Sequence, residues 1–175
     1  WRSRTAWLLV LAFCLQGLIF YGIITWLAPV MVESGYSTVG AGTIVGVLLI
    51  TGIPGTLLVS WLGDRLPSRR VGLVATSVVT LVALLGYAFV PGLALGWSVI
   101  GGLGLAAIFA LVMTLPLDAA SKPSEVGGYS ALMPGAGYLV ASLAPSLLGA
   151  TRDITGNFTV TMLLLVGTAG VMLLV

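Results

Sequence analysis

The chain alternates between long apolar blocks and short breaks rich in glycine, proline and charge. A helix needs about 20 apolar residues to cross a bilayer core about 30 Å thick. Blocks of this kind occupy residues 5–32, 38–62, 71–90, 94–117, 125–150 and 157–175. They predict six transmembrane helices in an all-α membrane protein. The breaks carry helix-ending chemistry: Gly35 suits the left-handed position after a helix, and Ser37 suits the cap of the next. Gly63-Asp64-Arg65 closes the second block and Val90-Pro91-Gly92 the third. The first block is too long for a signal-peptide core of about 7–15 residues.

Composition agrees with this pattern. Apolar residues make up 59% of the 175 and charged residues 7%, against about 25% charged in a soluble domain. The chain expects a lipid bilayer around it. Its charges fall in or beside the breaks. Consecutive breaks lie on alternate sides, so one side collects Arg2, Arg4, Arg65, Arg69, Arg70 and Lys122, and the other holds Arg152. This positive-inside bias places both termini in the cytoplasm, in a multi-pass protein of the cell (inner) membrane. Trp7, Trp26, Trp61 and Trp97 stand near block ends, where amphipathic rings favour the interface. The basic residues are too scattered for a nucleic-acid surface. With no histidine, His-based metal sites and Ser–His nucleophiles are excluded. Cys14, the single cysteine, sits in an apolar run as a small core residue. No catalytic set, metal or cofactor is expected, and an enzyme is disfavoured.

The second break, Ser60-Trp61-Leu62-Gly63-Asp64-Arg65-Leu66-Pro67-Ser68-Arg69-Arg70, concentrates charge between two apolar helices. Asp64 can accept backbone N–H bonds or pair with an arginine, and so pin one helix to its neighbour in one conformation of a moving bundle. The bland alternative is a set of topology-setting charges solvated at the membrane surface. This stretch resembles the loop motif of the major facilitator superfamily: a small residue, Asp-Arg, then a basic pair. The motif lies between the second and third helices of that family and recurs, degenerate, between the eighth and ninth. Ser60 in place of glycine, and Pro67-Ser68 before Arg69-Arg70, suit the degenerate copy. The resemblance implies the carboxy-terminal half, with the six blocks as helices 7–12. Two further stretches, Leu15 to Pro29 and Gly137 to Gly156, are similar to the cyanate and nitroimidazole transporter family. The chain starts at Trp1 and stops at Val175 inside an apolar block, and is expected to be part of a longer protein whose amino-terminal six-helix half is its partner.

Polar residues inside the blocks are the candidate substrate-path groups: Gln16, Tyr21 and Thr25 in the first, Ser130, Tyr138 and Ser142 in the fifth. On a helix five residues advance about 140°, so Gln16 and Tyr21 do not share a narrow face, whereas Tyr21 and Thr25 do. The alternative is interhelical hydrogen bonding, worth on average about 0.6 kcal/mol per bond. Pro54 and Pro134 are expected to kink their helices. Gly42, Gly46, Gly52 and Gly55, with Gly101, Gly102 and Gly104, read as close-packing positions. The loop set is Asp64, Arg65, Arg69 and Arg70. No block centre holds an ionisable Asp, Glu, Lys or Arg, so a coupling carboxylate or an anion-binding arginine would come from the other half.

The expected architecture is one half-bundle of a major facilitator fold, built as a three-plus-three inverted repeat. The faint echo of Trp61-Leu62-Gly63-Asp64 in Leu148-Gly149 and Asp153 agrees with it. The expected function is secondary transport, by alternating access, of a small anion or small polar organic molecule, as cyanate or nitroimidazole permeases do. The competing reading is a self-associating six-helix channel or structural membrane subunit.

Overall fold

The computed structural model describes residues 4–62, 65 and 68–174. Among the described residues seven helices follow one another: α1 (Arg4–Glu33), α2 (Thr38–Leu62), α3 (Arg69–Phe89), α4 (Ala94–Ala119), α5 (Pro123–Ala141), α6 (Ala144–Thr155) and α7 (Thr159–Met172). A single 3₁₀ turn, Pro91–Leu93, leads into α4. Among the described residues there is no strand. Helices α1 to α4, and α5 with α6 taken together, are long and apolar enough to cross a membrane; α7 is a shorter apolar helix.

Local chemistry sets the helix ends. Gly35 follows α1 at φ +97° and Gly156 follows α6 at φ +75°, a region that costs glycine nothing. The Ser37 hydroxyl accepts the Gly40 N–H at 3.1 Å ahead of α2. Ser68 caps α3 through the Val71 N–H at 3.3 Å, which starts that helix two residues before the apolar block.

The fifth block differs from expectation. It is two helices and not one: α5 runs through Pro134, as α2 runs through Pro54. The interruption falls at Ser142–Leu143, just ahead of Pro145. Proline has no N–H and its ring crowds the carbonyl four residues back, here that of Ala141. The turn therefore tightens. The Leu143 N–H goes to the Val140 carbonyl at 3.1 Å, and the Ser142 hydroxyl takes over the Leu139 carbonyl at 2.8 Å. From α1, the Trp26 indole N–H donates to the Pro145 carbonyl at 3.0 Å.

Packing follows a two-fold pattern. Helices α1, α4, α3 and α7 form a ring in which each packs on the next. Helix α2 lies mainly on α4 and partly on α1; α5 lies mainly on α1 and partly on α4. Exchanging α1–α2–α3 with α4–α5/α6–α7 reproduces these neighbours, as an inverted three-plus-three repeat requires. The outcome is one face with α1 and α4 at its centre and α2 and α5 at its flanks, backed by α3 and α7.

Each flank is joined by backbone-close contact. A Cβ on Gly102 would collide with the Leu48 carbonyl and the Thr51 hydroxyl on α2; one on Gly17 would lie 2.7 Å from the Ala141 Cβ on α5. Thr51 also donates across to the Ser98 carbonyl at 3.2 Å, and the Tyr87 and Ser98 hydroxyls share a buried bond of 2.7 Å between α3 and α4. Gly42 and Gly46, expected to pack, have no atom within 4 Å of where a Cβ would stand. They lie on the open side of α2.

A side chain at Gly102 overpacks the α2–α4 contact, which costs typically about 1–3 kcal/mol. In the purified full-length protein, Gly102→Val is expected to lower the thermal midpoint by several degrees. Gly167→Ala, where no atom lies within 4 Å, is expected to leave it unchanged or slightly raised. Equal midpoints for Gly102→Val and the parent would remove this contact from the account of stability.

Candidate functional site

The flanked face of α1 and α4 contains a cavity of about 210 Å³ between α1, α4 and α5. Gln16, Phe20 and Tyr21 line it from α1, Leu105, Ala106 and Phe109 from α4, and Tyr138 from α5. Gln16 is 4% exposed. No described residue forms a hydrogen bond with its amide, so both the donor and the acceptor ends are available to the cavity. Tyr138, 46% exposed, sits edge-on to Phe13 at 4.9 Å and to Tyr21 at 6.4 Å between ring centroids. Tyr21 meets Phe20 at 5.4 Å, and Phe13 meets Phe109 at 6.4 Å. These edge-to-face pairs hold the rings in fixed relative orientations. The result is an aromatic enclosure carrying one amide and two phenols, with no ionisable carboxylate, ammonium or guanidinium in its lining.

Of the six expected path residues, the structure brings together Gln16, Tyr21 and Tyr138. Gln16 and Tyr21 meet despite their 140° separation because the cavity wraps across the intervening Phe20. Thr25 is exposed one turn beyond Tyr21 and does not line the cavity. Ser130 is exposed and lies elsewhere on α5. Ser142 is spent on the helix interruption. Phe13, Phe20 and Phe109 were not singled out from the sequence, because phenylalanine in an apolar block looks like core until its neighbours are known.

Two charged clusters flank the bundle ends. At the basic end, Asp64 lies outside the described residues. Arg65 stacks its guanidinium over the Trp61 ring at 4.0 Å, Arg70 is exposed, and Arg69 pairs with Asp118 at 3.3 Å. Arg69 opens α3 and Asp118 closes α4, so the ion pair joins two antiparallel neighbours. Both side chains are about two-fifths exposed, at 40% and 44%. The sequence contained the signal for this pair: opposite charges at adjoining ends of consecutive helices. At the other end, the Glu33 carboxylate accepts the Phe158 N–H at 3.3 Å, ahead of α7. Arg152 lies 3.8 Å from Asp153 and over the Phe158 ring at 5.4 Å.

Among the described residues no group of His, Cys, Asp and Glu is arranged to hold a metal ion.

The sequence profile of the Major Facilitator Superfamily matches residues 1–145. The chain is 32% identical over 164 residues to the 2-nitroimidazole transporter of Escherichia coli, covering 93% of this chain and 42% of that protein. It is 32% identical over 154 residues to the cyanate transport protein CynX of the same organism, covering 87% and 40%. It is 28% identical over 176 residues to the uncharacterized transporter YycB of Bacillus subtilis, covering 98% and 43%. The chain thus spans less than half the length of these relatives. Its long apolar helices, its inverted repeat of packing and these matches agree: the chain is a multi-pass membrane protein that belongs to the major facilitator superfamily.

Proposed function

We propose that this chain is one half of a secondary transporter that moves a small planar polar molecule, of the nitroimidazole or cyanate kind, by alternating access. The observation that carries this reading is Gln16. Its side chain is almost wholly buried, and its amide has no hydrogen-bond partner among the described residues and borders the cavity, where a solute can supply one. Here the amide opens into a cavity walled by aromatic rings, a surface that suits a flat solute, with the Tyr21 and Tyr138 hydroxyls near its edge. A site of about 210 Å³ admits a small ring or a smaller ion. If the solute is an anion, this lining offers it donors and no balancing positive charge. A counter-charge or a coupling carboxylate then belongs to the remaining helices, which would close the open face of α1, α2, α4 and α5. In this reading Gln16, Tyr21 and Tyr138 contact substrate, both termini are cytoplasmic, and the basic end faces the cytoplasm of a bacterial-type inner membrane. A self-associating six-helix channel has no observation in its favour that matches an amide and two phenols gathered around one cavity.

The same reading gives the Arg69–Asp118 pair a role in cycling. It links α3 to α4 at the end where the bundle would open and close, and an exposed pair of this kind is worth about 0.2–1 kcal/mol. That is enough to tilt an equilibrium and too little to lock it. Arg65 and Arg70, and Asp64 beyond the described residues, would act at the same end.

Two measurements test the proposal on the full-length protein in proteoliposomes. Gln16→Leu is expected to weaken 2-nitroimidazole binding about tenfold, near 1.4 kcal/mol, and Tyr138→Phe about threefold to tenfold, while Ser130→Ala and Ser142→Ala bind as the parent does. Unchanged binding in both of the first two variants would return these residues to a packing role. Asp118→Asn is expected to slow uptake twofold to fivefold with affinity held within twofold. The exchange of charges in Arg69→Asp with Asp118→Arg is expected to restore much of the rate. Lost affinity with a normal cycling rate would sink the idea of a conformational link.

A further inference from the structure

A second recess, of about 270 Å³, opens beside the aromatic cavity. The two share Phe20, Leu105 and Ala106 as a common wall. The second is bounded by α2 where the first is bounded by α5. Under the two-fold exchange that relates the halves of the bundle these recesses are equivalents, one on each flank of the α1–α4 pair. Their chemistry is not equivalent. In place of Gln16, Tyr21 and Tyr138, the α2 recess presents Leu49, Gly52, Ile53 and, at its polar limit, Thr56. The Thr56 hydroxyl is already committed to the Gly52 carbonyl at 3.2 Å, which leaves this side with no free donor pointed at a ligand. Gly52 contributes depth: a Cβ there would reach the Ala106 Cβ at 3.4 Å, in ordinary contact.

We infer that the substrate site has two lobes, a polar aromatic lobe against α5 and an aliphatic lobe against α2, and that it accepts planar polar rings bearing a short alkyl substituent. The inference rests on the transport reading above. The shared wall carries the argument: a solute seated against Phe20 has its polar edge toward Gln16 and its opposite edge over Leu105 and Ala106, at the mouth of the aliphatic lobe. Any methylene extending from that edge leaves water for apolar surface. Burial of a methylene raises affinity about threefold to fourfold. Leu49, Gly52 and Ile53 are then specificity residues: they do not hold the ring but set which substituents are tolerated.

The test uses the full-length transporter in proteoliposomes, with 2-nitroimidazole and its 1-methyl, 1-propyl and 1-hexyl derivatives as probes. In the parent protein the propyl derivative is expected to bind about tenfold or more tighter than the methyl one, with the gain levelling off at hexyl as the lobe fills. Gly52→Leu and, independently, Ile53→Trp fill the lobe and are expected to bring the propyl-to-methyl ratio close to one. A propyl gain that survives both variants, or no gain in the parent, overturns the aliphatic lobe while the polar site stands. A second measurement needs no substrate. With Cys14 replaced by alanine, Ile53→Cys is expected to react with a water-soluble maleimide, because the lobe lines a solute path. If none of the probes binds, the planar-solute reading fails, and the lobe is decided by this labelling alone. An unreactive Ile53→Cys means that lipid or neighbouring helices fill the recess, and the inference is wrong.

Discussion

Lipid tails are as apolar as leucine, so pulling two apolar helices together inside a bilayer removes nothing from water. Association there must come from close packing and from hydrogen bonds that lipid cannot offer. This constraint organises the whole bundle. The tight contacts run through positions without side chains, Gly102 against Leu48 and Gly17 against Ala141, one on each flank of the α1–α4 pair. Two interhelical bonds meet at Ser98, which accepts Thr51 through its carbonyl and meets Tyr87 through its hydroxyl. Large aliphatic side chains that would form the core of a soluble protein are distributed on both sides here. Ile23, Leu27 and Met31 are buried in the ring, while Ile50, Leu57 and Leu139 face outward with most of their surface open.

The same constraint explains why so few polar groups are left unpaired. Most hydroxyls on the helices return to a backbone carbonyl three or four residues earlier, as Thr43, Thr76 and Thr168 do. Such bonds satisfy the hydroxyl without recruiting a neighbour. Two groups depart from this economy: the Ser77 hydroxyl, which is buried without a partner, and the Gln16 amide, which borders the cavity among aromatic and aliphatic neighbours. The rings that surround it fix one another edge-to-face, so the cavity is shaped before any solute enters.

The spans were legible because hydropathy is the one property the bilayer enforces residue by residue. Arg4, Glu33, Arg69, Asp118 and Arg152 mark helix ends for the same reason: a charge is cheap there and costly a few residues inward. The interruption of the fifth span was not legible. Two prolines, Pro134 and Pro145, had equal claim to it. What separates them is the Trp26 indole, distant in the chain, that binds the Pro145 carbonyl, and the nearby Ser142 hydroxyl that covers the Leu139 carbonyl. Likewise Gln16, Tyr21 and Tyr138 stood out as polar residues in apolar blocks, but Thr25, Ser130 and Ser142 stood out equally. Three-dimensional neighbours divide the two groups, and a helical wheel carries no information about neighbours. A 140° separation on a helix excludes a shared narrow groove, whereas this cavity spans the arc beneath Phe20.

Side-chain bonds join neighbouring elements at both ends of the bundle. Opposite the basic end, links cross between many elements. Tyr36 donates to the Pro91 carbonyl at 2.8 Å, Trp97 donates to the Val90 carbonyl at 3.0 Å, Glu33 accepts from Phe158, and Trp26 ties α1 to α6. Each such bond contributes about 0.5–1.5 kcal/mol, and together they join the loop regions of that end. At the basic end the Arg69–Asp118 pair, half open to solvent and weakened by screening, ties α3 to α4. Helix α5 packs on α1 and α4, whereas α6 packs on α1 and α7, so the turn at Ser142–Leu143, set by Pro145 and covered by the Ser142 hydroxyl, hands the fifth span from one pair of partners to another.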